Sequence, residues 1–179
     1  MNNSLLNTDL FILRKPNKED AVEILAINKD WSVMEYYGVP TCTNLDEAKN
    51  ELQWFESLFS HNSGRWVIAD SITNKYIGDI GLFNYDETHN RAEIGYKLCK
   101  DYWQKGIMSK CMQAVLRVGF EDYNYNRIEA MVDERNNACI ALLKKNGFTK
   151  EGLFREYEFE HGHYVNLKMY SILKREFNI

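Results

Sequence analysis

The sequence predicts an α+β fold: a mixed, mostly antiparallel sheet of seven strands with helices on both faces. Three observations carry that expectation. Between Arg65 and Leu98 three strand-like runs are set off by the turn segments SITN and DETHN, which predicts an antiparallel meander. From Arg91 to Val132 the order is strand, helix, strand, which implies a parallel pair joined by a crossover. The chain then closes on two further runs around the turn His161-Gly162.

In chain order, Phe11 to Lys15 reads as a short strand stopped by Pro16. Asn17 is the expected cap of a first helix, with Asp20 three residues on and Val22, Leu25 and Ala26 as its inner face. The segment WSVMEYYGVP reads as an aromatic-rich loop, and its Trp31, Tyr36 and Tyr37 are candidates to line an acceptor cleft or to pack in the core. A second helix starts near Thr43 or Asn44, with Leu45, Ala48, Leu52, Phe55 and Phe59 at helical spacing. Trp66–Ala69, Tyr76–Phe83 and Arg91–Leu98 are the three meander strands. Gly106 to Tyr123 reads as a helix with Ile107, Cys111, Ala114, Val115 and Val118 inward, and Arg127 to Val132 as the next strand. A short helix over Asn137–Asn146 ends at Gly147, the residue type favoured for a left-handed cap. Repeats, low-complexity tracts and long linkers are absent, so residues 1–179 read as one domain.

Composition narrows the function. The 179 residues carry a net charge of −4 and neither a basic excess nor a basic stripe, which argues against nucleic-acid binding. Mild acidity suits an amine-bearing substrate. No apolar run approaches ~18 residues, so no membrane span is expected. The opening residues MNNSLLNTDL lack a basic stretch followed by an apolar core, which points to the cytosol. The four cysteines Cys42, Cys99, Cys111 and Cys139 form no C-x-x-C pair and read as free thiols. His161 and His163 flank Gly162 without a third ligand at sensible spacing, so no metal is expected.

The chemistry sits in KLCKDYWQKGIMSK, where a strand passes through a tight turn into a helix. The first N–H groups of a helix have no partner within it, and the peptide dipoles place partial positive charge there. A phosphate-sized anion is the natural occupant. Gly106 lets the backbone approach closely and Lys105 adds a charge. The stretch matches neither the P-loop pattern nor the dinucleotide fingerprint.

Together, AEIGYKL, DYWQKGIMS, ERNNACIALLKKNGF and the closing KEG resemble the GNAT superfamily of N-acetyltransferases. The likeness is to the branch that acetylates N-terminal alanines of ribosomal proteins, and it runs over nearly the whole chain from TDLFILRKPNKEDA. The resemblance implies the superfamily's α/β sandwich and acetyl-CoA as co-substrate, with no metal. The phosphate-binding pattern Q/R-x-x-G-x-G/A falls on Trp103 to Met108, and only its central glycine, Gly106, matches strictly. By resemblance, backbone amides of Gln104, Lys105, Gly106, Ile107, Met108 and Ser109 hold the pyrophosphate. The backbone of Tyr96, Lys97 and Leu98 pairs with the pantetheine arm as an added strand would. Asn136, a pantetheine contact in that branch, reads equally as a helix cap, and Lys144 as either a phosphate contact or a solvated side chain.

Acetyl transfer needs a free amine, a polarised thioester carbonyl and a proton for the departing thiolate. A strand-end N–H, from Leu98 or Cys99, would stabilise the developing charge. The tyrosine that several superfamily members use to protonate the thiolate is missing: seven residues beyond Asn136 stands Leu143. Where the ribosomal branch offers a serine, this chain has Cys139, a candidate acid whose pKa the helix N-terminus would lower, or a small buried residue. Glu158 aligns with that branch's proposed base, and Glu156 and Glu160 share its strand face at period two, a cluster able to raise one pKa. Glu93 and Glu129 are weaker candidates. The expected activity is direct acetyl transfer within a ternary complex to a protein N-terminus, with a polyamine or antibiotic amine as the other acceptor class. A non-catalytic acyl-CoA sensor is the alternative from another class, and a homodimer is the assembly to test.

Overall fold

The computed structural model describes residues 4–38 and 41–177. Eight strands form one sheet: β1 (Ser4–Asn7), β2 (Phe11–Arg14), β3 (Gly64–Asp70), β4 (Tyr76–Asp86), β5 (Arg91–Leu98), β6 (Arg127–Asp133), β7 (Thr149–Glu160) and β8 (His163–Leu173). Their spatial order is β1-β2-β3-β4-β5-β6-β8-β7, and every neighbouring pair is antiparallel except β5 with β6. Seven strands were expected. The eighth is β1, whose four residues SLLN carry too little pattern to read as a strand, and which forms by pairing with β2.

Among the described residues there are five α-helices: α1 (Asp20–Asn28), α2 (Trp31–Met34), α3 (Leu45–Leu58), α4 (Ile107–Arg117) and α5 (Asn137–Lys145). On one face, Ala21, Ile24 and Ile27 of α1 and Ala48, Leu52 and Phe55 of α3 pack on Val67, Ala69 and Tyr76. On the other, α4 and α5 bury Ile107, Met112, Val115, Ile140 and Leu143 against Ile80, Ile94 and Leu98.

Several local expectations are corrected. The inner face of α1 is Ala21, Ile24 and Ile27, while Val22 and Ala26 are exposed. Apolar residues surround this helix, so their spacing did not select a face. The residue before α1 is Glu19 rather than Asn17, whose side-chain oxygen instead accepts from the Glu19 N–H at 3.1 Å. The segment read as a loop contains α2, because Asp30 caps it by accepting from the Ser32 N–H. Val39 and Pro40 of that segment, like Met1 to Asn3, lie outside the described residues. α4 ends at Arg117 and widens into a π turn over Val118–Asp122, and its buried side includes Met108, Met112 and Leu116, with Ala114 only partly covered.

Charged side chains are buried under the α1–α3 face. Arg65 and Asp79, both within 2% of full burial, form an ion pair at 2.5 Å. Tyr76 donates its hydroxyl to Asp79 and Arg65 donates to the Tyr37 hydroxyl oxygen. Lys97 reaches Glu51 at 2.5 Å, Asn28 Oδ1 at 3.0 Å and Asp79 at 3.8 Å. Asn28 and Cys42 both donate to the second Glu51 oxygen. Burial lowers a lysine pKa, but Asp79, Tyr37 and Glu51 outweigh it here and hold Lys97 above its ordinary value.

Candidate active site

The site begins where the parallel pair separates. β5 and β6 pair only over Arg91–Glu93 and Arg127–Glu129, although β5 runs on to Leu98 and β6 to Asp133. Glu129 lies between Arg91 at 3.1 Å and Arg127 at 2.6 Å, which secures the closed end. That engagement, at the end away from the opening, removes Glu129 as a base, and Glu93 beside it accepts from Asn84.

Along the open part of β5 the backbone alternates in direction. The Cys99 N–H donates to the Ile77 carbonyl at 2.8 Å, so Cys99 faces β4 and is not available to a ligand. By the same alternation, Lys97 turns its peptide groups to β4 and its side chain to the buried ion network. Tyr96 and Leu98 turn theirs to the opening left by β6. Of the two oxyanion donors considered from sequence, Leu98 alone keeps a free direction.

Both helices that follow the parallel strands start at this end. The turn before α4 is held by its aromatics: Trp103 Nε1 donates to the Leu98 carbonyl at 2.7 Å, and the Tyr102 hydroxyl donates to Asp70 at 3.3 Å. Gln104 and Gly106 take left-handed conformations, φ 60° and 75°. From Gln104 to Ser109, six successive backbone N–H groups find no acceptor among the described residues; the Lys110 N–H is the first to bond, to the Gly106 carbonyl. A Cβ at Gly106 would meet nothing within 4 Å, so the space beside Gly106 in this turn is open. Lys105 lies over the Tyr102 ring, 5.1 Å from its centroid, which keeps its charge at the turn. Ser109 donates to Asn146 at 3.2 Å, bringing the last turn of α5, and with it exposed Lys144, beside the first turn of α4.

At the start of α5, Asn136 is the cap: its Oδ1 accepts from the Cys139 N–H at 3.0 Å. Cys139 Sγ lies 2.9 Å from the Tyr96 hydroxyl, a contact from α5 to β5 that no sequence pattern signalled. Of the two readings of Cys139, an acid strengthened by the helix end and a small buried residue, burial prevails and pushes the thiol up to about 11. The thiol therefore keeps its proton at neutral pH.

Beyond the end of β6, the β7–β8 hairpin carries Glu158 and Glu160. The expected trio of carboxylates is a pair. A bulge between Phe154 and Glu158, with Glu156 at φ 50°, breaks the period of two. Glu156 is exposed and spends its N–H on Asn166. Glu158 Oε2 and Glu160 Oε1 both face Gly38, 3.0 and 3.1 Å from where a Cβ would stand. Glu160 is 6% exposed and its Oε2 has no partner among the described residues. Burial and the neighbouring carboxylate raise Glu158, and burial raises Glu160, so the pair favours holding a proton. Nearby, Arg135 pairs with Asp133 at 2.5 Å, lies over the Tyr36 ring and meets His163 at 3.3 Å. Trp31 stands edge-on to His161 at 4.5 Å. A cavity of about 510 Å³ opens there, lined by Asn28, Trp31, Met34, Cys42 and His161 among others. Tyr37 belongs to the buried ion network rather than to this cavity.

A mixed sheet whose one parallel pair separates beside a row of helix-start amides without acceptors among the described residues is an α+β architecture with an opening between β5 and β6. The chain belongs to the GNAT acetyltransferases: that acetyltransferase domain family matches residues 11–149. An N-acetyltransferase of Bacillus subtilis (strain 168), YoaA, itself uncharacterized, is 36% identical over 171 residues, 95% of this chain and 97% of its own length. Among solved structures, the ribosomal-protein-S5-alanine acetyltransferase from Vibrio fischeri superposes with a TM-score of 0.85 at 23% identity, covering 98% of this chain and 99% of the other. The spermidine N-acetyltransferase from Vibrio cholerae, in complex with CoA and spermine, superposes with a TM-score of 0.82 at 22% identity, covering 94% and 98%. The protein is therefore an N-acetyltransferase of the family that uses acetyl-CoA. Among the described residues no group of three His, Cys, Asp or Glu side chains gathers as a metal site, and no helix is long and apolar enough to cross a membrane.

Proposed function

We propose that the protein transfers acetyl from acetyl-CoA directly to a primary amine, in a ternary complex, and that the first acceptor class is a protein N-terminus of the ribosomal type. The observation that carries the proposal is the separation of β5 from β6 between two helix starts, one with six free N–H groups and the other capped by Asn136. The residues fit a diphosphate at Gln104–Ser109 with Lys105 and Lys144 at its flanks, and a pantetheine arm beside Tyr96, Leu98 and Asn136. Acetyl-CoA supplies the activated acetyl group. The Leu98 N–H polarises the carbonyl that it meets. Cys139 belongs to the proton-donor side, and the Glu158–Glu160 pair to the acceptor side, where Glu158 takes the amine proton.

An α-amine has a pKa near ~8, so a carboxylate of moderately raised pKa serves as its base at neutral pH. The second acceptor class, a polyamine, is favoured by the likeness to the spermidine enzyme and by the net charge of −4. Thiol release from acetyl-CoA across peptides, polyamines and aminoglycosides tests the reading. Turnover with one class supports it, whereas tight CoA binding without turnover on any amine marks a sensor.

Glu158→Gln is expected to lower kcat/KM at neutral pH by about 100-fold, the usual worth of a positioned base, and by less at high pH, where free amine is plentiful. Because burial and the neighbouring Glu160 raise Glu158 above its ordinary value, the acidic limb of the wild-type profile should be displaced upward in the same direction. The same raised pKa has a sign for stability. Its contribution is complete below the ordinary carboxylate value and is lost as pH rises through the folded one. Equal activity of variant and wild type at every pH would remove Glu158 as base.

A further inference from the structure

Of the side chains that β5 sends to the α4–α5 face along its open part, Ile94, Tyr96 and Leu98, only Tyr96 has a proton to give. We propose that the Tyr96 hydroxyl protonates the departing sulfur of acetyl-CoA, taking from β5 the place that Leu143 leaves vacant on α5, with Cys139 as the residue that holds that hydroxyl in position. This rests on the acetyl-transfer reading above.

The contact itself carries the argument. Tyr96 Oη and Cys139 Sγ are 2.9 Å apart, and they join the strand whose amides face the opening to the third residue of the helix that begins there. Leu143, by contrast, is wholly buried in the core and has no proton to donate. Asn136 fixes the Cys139 backbone through its cap, so the thiol does not wander. Burial keeps the thiol protonated, and burial together with Cys139 holds the phenol well above its ordinary value. Either atom can donate in this contact; with the S–H donating to Oη, the phenol proton is left free for an outside acceptor. Leu98, two residues along the same strand side, offers its N–H in the same direction.

The step balances. The amine nitrogen forms a bond to the acetyl carbon, and the carbon–sulfur bond breaks with its electron pair passing to sulfur. The Tyr96 proton goes to that sulfur and the amine proton to the Glu158–Glu160 pair. Solvent then returns a proton to Tyr96 and removes one from the carboxylates, so no oxidant or reductant is needed.

Tyr96→Phe keeps the ring and removes only the oxygen. Its kcat should fall about 100-fold, within the range for a lost general acid, with CoA affinity by calorimetry unchanged. Cys139→Ser, which keeps a donor, should lose much less than Cys139→Ala. The double variant Tyr96→Phe/Cys139→Ala should be no slower than Tyr96→Phe alone, because both act on one proton. A readout independent of turnover is alkylation: CoA should protect Cys139 from iodoacetamide in peptide mapping, as a group beside the bound sulfur requires. Tyr96→Phe with kcat within a factor of two of wild type, CoA affinity falling in step with kcat, or Cys139 alkylated at the same rate with and without CoA would each overturn the assignment. If wild type itself releases no thiol with any amine, the acetyl-transfer reading falls and this role with it. If wild type turns over and Tyr96→Phe matches it, only the role of Tyr96 falls.

Discussion

Gly106→Glu should lose at least about 100-fold in affinity for CoA, about 2.7 kcal/mol, while the protein stays folded. Two effects combine. At φ 75° a side chain costs roughly 1–2 kcal/mol of backbone strain. The new Cβ enters open space, so the carboxylate projects in front of the free amides rather than clashing with the core. Like charges about 4 Å apart repel by roughly 4 kcal/mol at an effective dielectric near 20, and screening at the surface reduces that figure. Gly106→Ala separates the terms, since it keeps the strain and omits the charge. Its cost should appear mainly as a lower unfolding temperature, with a smaller loss of affinity. Calorimetric titration of CoA into each variant, beside thermal unfolding, reads both. A Gly106→Glu protein that binds CoA as wild type does would remove the turn from the ligand site.

Asp79→Ala should be the most destabilising single substitution among the charged residues, by about 3–5 kcal/mol. Asp79 is fully buried between Arg65 and Lys97, themselves within 2% of full burial, and it also accepts from Tyr76. Removing it strands a guanidinium without a counterion and leaves Lys97 to Glu51 alone. For a chain of this length each kcal/mol lowers the midpoint by about 2–4 °C, so the expected fall is about 6–20 °C. Because the pairs are dry, added salt should change the difference little. Urea unfolding with a common slope would measure it. A loss below about 1 kcal/mol would mean that the network rearranges to satisfy itself, against the account of its burial.

That network shows where the sequence was opaque. Arg65, Asp79 and Lys97 each interrupt an apolar strand run, GRWVIAD, YIGDIGLF and EIGYKL, and a charge inside a buried run requires a partner. The interruptions were visible, but which charges meet depends on the β3–β4–β5 register, which pairs Val67 with Asp79 and Asp79 with Lys97. Legibility elsewhere followed the strength of local signals. The meander, the final hairpin, α3 with its Asn44 cap and the turn at Gly106 are all set by contacts near in sequence. β1 and the inner face of α1 are decided by tertiary pairing, since SLLN has no clear alternation and α1 is apolar on nearly every side. Glu156 left the carboxylate group because a bulge, invisible to a period of two, turns it outward. The Tyr96–Cys139 contact spans 43 positions and belongs to no motif.

The central claim is that the free amides from Gln104 to Ser109 seat the diphosphate of acetyl-CoA while its arm runs beside Tyr96 and Leu98. A crystal structure of the chain with CoA tests this most directly. The account predicts diphosphate oxygens within hydrogen-bonding distance of those amides and the thiol end near Tyr96 and Cys139. Ordered CoA bound elsewhere, or with its diphosphate away from Gly106, would contradict it.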